Sequence, residues 1–339
     1  MNVFFGEDAF AQLSMLTNSY DKFFVLTDEN IYGIYSSMIA SILPEKEVVK
    51  IVLPAGEESK SIENVMLIWN KLLEAKAGRD SLMINLGGGT ISDIGGFAAS
   101  TYKRGIDFVN VPTTLLAMID ASIGGKNGIN FNNYKNQIGL FSEPESVIIN
   151  SQFLKTLNER DIKSGLAEMM KYAFIADASF LDLDSDNYLD FIEKAAMTKD
   201  EIVALDMKES GLRKILNFGH TVGHALESYY LEKENYLTHG EAVALGMYSA
   251  LYLSVKYCGL DEKWLFFYEM WFKGNLNQMN LNDFDVDAIY SYISHDKKNK
   301  GGKPRFVLIS GPEKPQIDVE VKEEDIKESI AVLKNKFSE

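Results

Sequence analysis

The sequence has little of what marks secreted or membrane-spanning proteins. A single cysteine, Cys258, occurs in 339 residues, so no intramolecular disulfide can form, and we expect a reducing, cytoplasmic environment. The chain has no apolar run of about eighteen residues, the minimum for a transmembrane helix. The first residues lack the basic segment and apolar run of a signal peptide.

Positive charge is also scarce. Asp and Glu number 49 against 34 for Lys and Arg, which gives a net charge of −15. A surface this acidic repels nucleic acid and anionic membranes, so we expect neither as a partner. An anionic small-molecule substrate would need a local cluster of lysine and arginine. The composition is otherwise globular, and the length allows two domains.

Histidine is rare but clustered. Of four histidines, His220, His224 and His239 lie within twenty positions. Polar residues continue this cluster in steps of four, three and four: Arg213, Asn217, His220 and His224. The spacing predicts one face of a single helix. Such a face needs a metal, an anionic ligand or solvent, because unpartnered polar groups are costly to bury. A solvated face with incidental histidines is the alternative from this stretch alone.

The same stretch contains two glycines four residues apart, Gly219 and Gly223. Each weakens a helix by about 1 kcal/mol relative to alanine. We therefore expect a compensating close approach by a ligand or by another backbone. The intervening apolar residues are predicted to face the core: Leu212, Leu216, Val222 and Leu226.

Apolar runs alternate with helical patterns in the N-terminal half. The runs cover residues 23–27, 48–53 and 81–86, and the helical patterns cover 31–43 and 62–75. This alternation predicts a parallel α/β sheet with crossover helices. Ligands bind such sheets at the carboxyl ends of the strands. The segments that fall there are Asp28, residues 54–60 and residues 87–93.

A glycine run, residues 87–89, follows the third apolar run, and a helix can begin at Thr90. Free N–H groups at a helix start can bind phosphate. Ser92 stands where the dinucleotide motif G-x-G-x-x-G has its last glycine, so a simple tight turn is the alternative. Three basic residues beside glycine, serine or asparagine suit phosphate contacts or solvent: Arg104, Lys126 and Lys135.

The C-terminal half reads as mainly helical. Helices are predicted at residues 160–176, 198–212, 242–256 and 323–337, with a β-hairpin at residues 305–321. Glu168 and Lys171 are three apart and share a helix face, as a site pair or as a surface ion pair. His295 is expected to be structural or solvated.

Seven segments occur in one order along the chain: PAGEESK, GGGTISDIGGF, VPTTLLAMIDASIGGKNGIN, KNQIGLF, GLAEMMKYA, GLRKILNFGHTVGHALE and HGEAVALGM. From about residue 23 to residue 298 the sequence resembles the 3-dehydroquinate synthase family, in the sugar-phosphate cyclase superfamily. The resemblance implies a Rossmann-like, NAD-binding α/β domain at residues 1–152. It also implies a mainly helical metal- and substrate-binding domain at residues 153–339.

The resemblance implies a lyase of the shikimate pathway. Its substrate would be 3-deoxy-D-arabino-heptulosonate 7-phosphate, and its products 3-dehydroquinate and phosphate. The steps would be transient oxidation by bound NAD, phosphate elimination, reduction and intramolecular aldol closure. One divalent metal, usually zinc with cobalt as the alternative, would polarise substrate oxygens.

The resemblance also assigns residues. The metal ligands would be Glu168, His220 and His239. The NAD contacts would be Asp28, Asn30, Glu57, Lys60, Gly88, Gly89, Asp93, Thr113, Thr114, Asp120, Lys135 and Asn136. The substrate contacts would be Arg104, Asp120, Lys126, Asn136, Lys171, Lys199, Arg213, Asn217, His224 and Lys297, which is preferred over Lys298. The catalytic residues among them would be Asp120, Lys126, Lys171, Arg213 and His224. Arg104 would reach the neighbouring subunit's substrate, which implies a homodimer.

Three alternatives remain. One is another sugar-phosphate cyclase: an aminodehydroquinate, valiolone-type or deoxy-inosose synthase. Valiolone-type enzymes depart at positions that this sequence keeps, matching Lys199, Asn217, His224 and the late lysine. A second is an iron-type polyol dehydrogenase, which would not need the phosphate-binding lysines. A third is an inactive NAD-binding sensor, against which the complete set of Glu168, His220 and His239 argues.

Overall fold

The computed structural model describes residues 1–6, 9–16, 19–42, 47–132, 134–231, 233, 235–276, 281, 284–294 and 304–337. The chain divides into two compact units. The N-terminal unit comprises Met1–Leu157 and Ile192–Lys208, and the C-terminal unit comprises Asn158–Phe191 and Glu209–Glu339. The division predicted between residues 152 and 153 stays a prediction. No helix in the described ranges is long and apolar enough to cross a bilayer.

Ten strands and eleven α-helices occur in the described residues. The strands are β1 (Asn2–Phe5), β2 (Lys22–Asp28), β3 (Val48–Leu53), β4 (Ser81–Gly87), β5 (Asp107–Pro112), β6 (Lys126–Phe131), β7 (Tyr134–Phe141), β8 (Ser146–Ile149), β9 (Arg305–Ile309) and β10 (Pro315–Glu320). The helices are α1 (Ala9–Leu16), α2 (Glu29–Ile42), α3 (Ile62–Glu74), α4 (Gly89–Thr101), α5 (Glu159–Ile175), α6 (Ile192–Leu205), α7 (His220–Tyr230), α8 (His239–Cys258), α9 (Lys263–Asn275), α10 (Val286–Ser294) and α11 (Glu323–Phe337).

A six-stranded sheet forms the centre of the N-terminal unit, in the order β1-β8-β5-β4-β2-β3. All its pairs are parallel, which confirms the predicted α/β sheet. Strand β4 is buried along its whole length, as expected of a central parallel strand. Asp28 pairs with Leu53 and Gly87 with Pro112. The carboxyl ends of these strands therefore meet at one edge, where the candidate cofactor residues begin.

Two buried asparagines interrupt the apolar strands. Asn85 in β4 donates its side-chain amide to Asn110 Oδ1 in β5 at 3.0 Å. Asn110 in turn donates to the carbonyl of Ser122, also at 3.0 Å. The side-chain NH₂ group of each asparagine thus gains a partner, which offsets part of its desolvation. The pair links neighbouring strands to the loop that precedes β6.

The C-terminal unit is mainly helical, with an antiparallel β9–β10 hairpin as predicted. Helix α8 is its centre and is buried over most of its length. Helix α11 lies against α8, where Ser249 and Ser329 share a buried hydrogen bond of 2.7 Å.

The predicted single helix through Arg213 and His224 is wrong. A 3-10 turn, Leu212–Asn217, ends at Phe218, whose ψ is 126°. Gly219 then takes a left-handed φ of 80°, and α7 begins only at His220. Leu212 is 46% exposed and does not face the core, because it opens this separate turn. The helix predicted at residues 198–212 likewise ends earlier, as α6 at Leu205.

Candidate functional site

Helices α7 and α8 meet at backbone distance because both carry glycine. A Cβ added at Gly246 would lie 1.9 Å from the oxygen of Gly219 and 2.6 Å from the nitrogen of Gly223. The close approach expected at Gly219 and Gly223 is therefore made by another backbone, that of α8. This contact sets α7, with His220 and His224, against the helix that begins at His239.

The first turn of α8 is fixed from two sides. Thr238 and Glu241 form a capping box, in which each side chain accepts from the other's backbone N–H. Arg160 of α5 donates two hydrogen bonds of 2.8 Å to the Glu241 carboxylate. Gly240 N–H donates to Ser164 Oγ at 3.0 Å. Ser164 is one helical turn before Glu168, so these contacts bring Glu168 and His239 together.

The three predicted metal ligands converge in the C-terminal unit. Glu168 Oε1 lies 3.3 Å from Nε2 of His220 and 3.3 Å from Nε2 of His239. Ligand atoms around a tetrahedral zinc ion, with bonds of about 2.0–2.1 Å, are separated by about 3.3 Å. One oxygen and two imidazole nitrogens at this spacing fit a divalent ion such as zinc.

The electrostatics of the cluster also suit a cation. Burial would raise the pKa of Glu168, but Lys171 and His220 outweigh it and hold this pKa well below its usual range. Lys171 Nζ lies 2.6 Å from Glu168 Oε2, and both side chains are 1% exposed. An ionised, buried carboxylate beside two imidazole nitrogens can accept a metal ion.

The pKa values of the two imidazoles shift in opposite directions. Burial lowers the pKa of His220, and the nearby Glu168 offsets this only in part. Burial also disfavours charge on His239, but hydrogen bonds to Glu168 and Glu227 outweigh it and raise its pKa to about 10. The His220 Nδ1 contacts the Phe218 carbonyl at 3.0 Å, and the His239 Nδ1 contacts Glu227 Oε2 at 3.2 Å. Both rings thus direct Nε2 towards Glu168.

A third histidine completes the group. Ligand atoms of His220, His224 and His239 lie within 4.8 Å of one another. The structure therefore offers four candidate donors, and the choice of Glu168 over His224 as the third ligand stays a prediction.

A cavity of about 240 Å³ opens beside this cluster within the C-terminal unit. Asn217, His220 and His224 line it, together with Lys214 and Arg305. Asn217 donates to Glu209 Oε1 at 2.6 Å. Arg213 is 1% exposed on the same 3-10 turn as Asn217. Two carboxylates, Glu209 and Asp318, also line the cavity, and Lys214 Nζ lies 2.6 Å from Asp318 Oδ2, so the lining carries charges of both signs.

The N-terminal unit brings together a second group of predicted residues. Lys60 Nζ lies 2.7 Å from Asp93 Oδ2 and 3.5 Å from Glu57 Oε1. Glu57 also accepts from Thr90 and from Asn130, each at 3.0 Å. Burial would raise the pKa of Glu57, but Lys60 and the Asn130 hydrogen bond outweigh it and lower this pKa. Glu57 is thereby fixed as a hydrogen-bond acceptor at the carboxyl edge of the sheet.

The turn between β4 and α4 has the features of an anion site. Gly88 precedes α4 and supplies no side-chain cap to its first N–H groups. A Cβ at Gly88 would lie 3.2 Å from Thr114 Cγ2, and one at Gly89 would lie 2.9 Å from Ala121 Cβ. The glycines thus allow close packing, and the uncapped helix start suits a phosphate.

The remaining predicted residues of this unit are more dispersed. Asp28 ends β2 and accepts from Ile31 N–H at 3.0 Å. Lys199 Nζ of α6 lies 2.7 Å from Asp120 Oδ1. Thr113 is buried after β5. Five others are exposed or lie on exposed turns: Asn30, Arg104, Lys126, Lys135 and Asn136. The predictions for His295, Lys297 and Lys298 fall outside the described residues.

Sequence reasoning gave no role to several residues that shape these sites. Asn130 holds Glu57 and also accepts from Asn136 N–H at 2.9 Å. Glu227 holds His239. Glu227 follows His220 by seven positions, so helical periodicity alone puts it on the histidine face. No comparable signal marked Asn130, because its contacts join distant parts of the chain.

Solved structures share this fold. One is a 2-deoxy-scyllo-inosose synthase, solved as a complex with carbaglucose-6-phosphate, NAD⁺ and Co²⁺. It matches this chain with a TM-score of 0.87 and 25% sequence identity, and the match covers 97% of this chain and 95% of that one. The 2-epi-5-epi-valiolone synthase of Streptomyces hygroscopicus, with NAD⁺ and Zn²⁺ bound, is similar with a TM-score of 0.86 and 25% identity, over 98% and 96%. These likenesses place the fold of the chain with the sugar-phosphate cyclases.

Family models define its place in that class. The N-terminal model of 3-dehydroquinate synthase matches residues 50–164, and the C-terminal model matches residues 165–299. The 3-dehydroquinate synthase of Parabacteroides distasonis is 40% identical over 94% of this chain and 93% of the relative. The chain belongs to the 3-dehydroquinate synthase family.

Proposed function

We propose that the protein converts 3-deoxy-D-arabino-heptulosonate 7-phosphate to 3-dehydroquinate and phosphate. Membership of the 3-dehydroquinate synthase family supports this reaction. The observation that supports it most directly is the buried Glu168 carboxylate, 3.3 Å from Nε2 of both His220 and His239.

The proposed cofactors are NAD and one divalent ion, zinc first and cobalt as the alternative. The related synthases with NAD⁺ and Co²⁺ or Zn²⁺ support this choice. Glu168, His220 and His239 would hold the ion, which when bound supplies a Lewis acid for substrate oxygens. NAD would supply reversible hydride transfer, bound at the residues assigned to it above.

The chain's own residues would bind and orient the substrate. Lys171 and Arg213, both almost fully buried, would pair with its carboxylate. Lys126, Asn136, His224 and Lys297 would hold its phosphate.

Asp120 would accept the proton of the hydroxyl that is oxidised. Lys199, 2.7 Å from Asp120 Oδ1, would orient that carboxylate. Lys199 and Asn217 would also contact the substrate.

Assembly and location are part of the proposal. Arg104 would reach the substrate of a second copy, and the protein would be a homodimer. Arg104 is exposed and follows Lys103, and both have positive φ values, 67° and 48°. The cytoplasmic location stays a prediction.

A turnover assay tests the reaction against its alternatives. The purified protein would be mixed with the heptulosonate phosphate, catalytic NAD and zinc. Phosphate release without net NADH accumulation is the expected result. Steady NADH accumulation would favour a polyol dehydrogenase, and no turnover of any phosphorylated sugar would favour a sensor. Faster turnover of an amino-substituted analogue would favour an aminodehydroquinate synthase.

A further inference from the structure

We propose that Glu227 is a positioning residue of the metal site, which holds His239 in the tautomer and orientation that binds the ion. Glu227 Oε2 lies 3.2 Å from His239 Nδ1. This inference rests on the proposed metal site, and its test separates the two.

Glu227 reaches His239 from a different helix. It lies on α7, seven residues after His220 and three after His224, so all three share one face. His239 opens α8. Helix α7 therefore supplies one candidate ligand, His220, and also fixes the candidate ligand on its neighbour.

The chemistry of the contact matches the tautomer that metal binding requires. An ion on Nε2 needs the lone pair of that nitrogen, so the ring proton of His239 then lies on Nδ1, where the Glu227 carboxylate accepts it. Nε2 itself lies 3.3 Å from Glu168 Oε1, the neighbouring candidate ligand atom. A carboxylate on the far nitrogen also makes the ligating nitrogen more basic. Glu227 is 8% exposed, and the His239 side chain is 30% exposed.

His220 provides an internal comparison. Its Nδ1 lies 3.0 Å from the backbone carbonyl of Phe218, a partner that no side-chain substitution removes. His239 depends on a side chain for the same purpose. We therefore expect metal affinity to be sensitive to the residue at position 227.

The chain offers a matched control in Glu269. It is also 8% exposed and lies in the C-terminal unit, where it pairs with Lys273 at 2.7 Å and Lys336 at 3.1 Å. Its partners are lysines and not a candidate metal ligand. Loss of a buried carboxylate is thus common to both positions, whereas loss of a histidine partner occurs only at Glu227.

The test measures Co²⁺ affinity of the full-length protein by competition with a chelator, and the visible spectrum of the bound cobalt. We expect Glu227→Leu to weaken binding by about 10- to 100-fold. Glu227→Gln, which keeps an acceptor without the charge, should weaken it less. Glu269→Gln should bind cobalt as the unmodified protein does, with the same spectrum.

Two results would overturn the inference in different ways. If the unmodified protein binds cobalt and His239→Ala abolishes binding, but Glu227→Leu and Glu227→Gln bind normally, Glu227 has no positioning role. If His239→Ala leaves cobalt binding unchanged, the proposed metal site itself fails. The isosteric Glu227→Gln keeps the question answerable if the leucine variant unfolds, and melting temperatures without metal identify that case.

Discussion

Substitution of Gly246 by alanine tests the contact between α7 and α8. The new Cβ would lie 1.9 Å from the oxygen of Gly219, against about 3.5 Å for an ordinary carbon contact. Because both opposing atoms are backbone, no side chain can rotate away. The helices would have to separate by more than about 1 Å, and His220 would move with α7.

The expected loss follows from two opposing effects. Overpacking costs about 1–3 kcal/mol, and a rigid backbone contact favours the upper end. Alanine in place of glycine inside a helix stabilises the folded state by about 1 kcal/mol. The net loss of about 2 kcal/mol should lower the melting temperature of a unit of this size by about 4–8 °C. Metal affinity should fall as well, because the donor spacing changes.

Gly274→Ala is the matched control. Gly274 is also helical and in the C-terminal unit, but nothing lies within 4 Å of the position of an added Cβ. Its melting temperature should stay the same or rise slightly. Calorimetry and cobalt titration would measure both variants. If Gly246→Ala has the same melting temperature and the same cobalt affinity as the unmodified protein, the backbone contact does not constrain the site.

Three further changes test other contacts. Lys60→Met leaves Asp93 and Glu57 without their buried cation. It should lower the free energy of unfolding of the N-terminal unit by about 3 kcal/mol, measured by denaturant unfolding. The control is Lys71→Met, which removes an exposed ion pair and should cost less than about 1 kcal/mol. Lys126→Ala should mainly weaken phosphate-dependent substrate binding, and unchanged substrate affinity would refute its role. Ser61→Ala removes the cap of α3 and should cost about 1 kcal/mol, with no change in metal affinity.

Three strands of the sheet, β2, β3 and β4, were predictable from sequence, and the other three were not. The runs behind β2, β3 and β4 are long and apolar, so their pattern is unambiguous. Strand β5 was not predicted, because only two apolar residues precede Asn110, whereas three precede Asn85 in β4. The partners of the Asn110 side chain, Asn85 and Ser122, come together with it only in the folded state. The four-residue strands β1 and β8 are too short for a periodic signal.

The site shows the same limit. Local spacing grouped Asn217 with His220 on one helix, but Gly219 takes a left-handed conformation and separates them. Periodicity cannot detect such a break, because it depends on the space that Met247 and Val243 leave for the glycine. The convergence of Glu168 with His239 joins two distant segments, and only the family resemblance anticipated it.

The glycine contact between α7 and α8 also bears on the thermodynamics of ion entry. Helices that touch through their main chains resist sliding past each other, so we expect His220 and His239 to move together. Their nitrogens would then need little rearrangement when a cation binds, and we expect the conformational entropy lost on binding to be small. That entropy is lost earlier, when the chain folds.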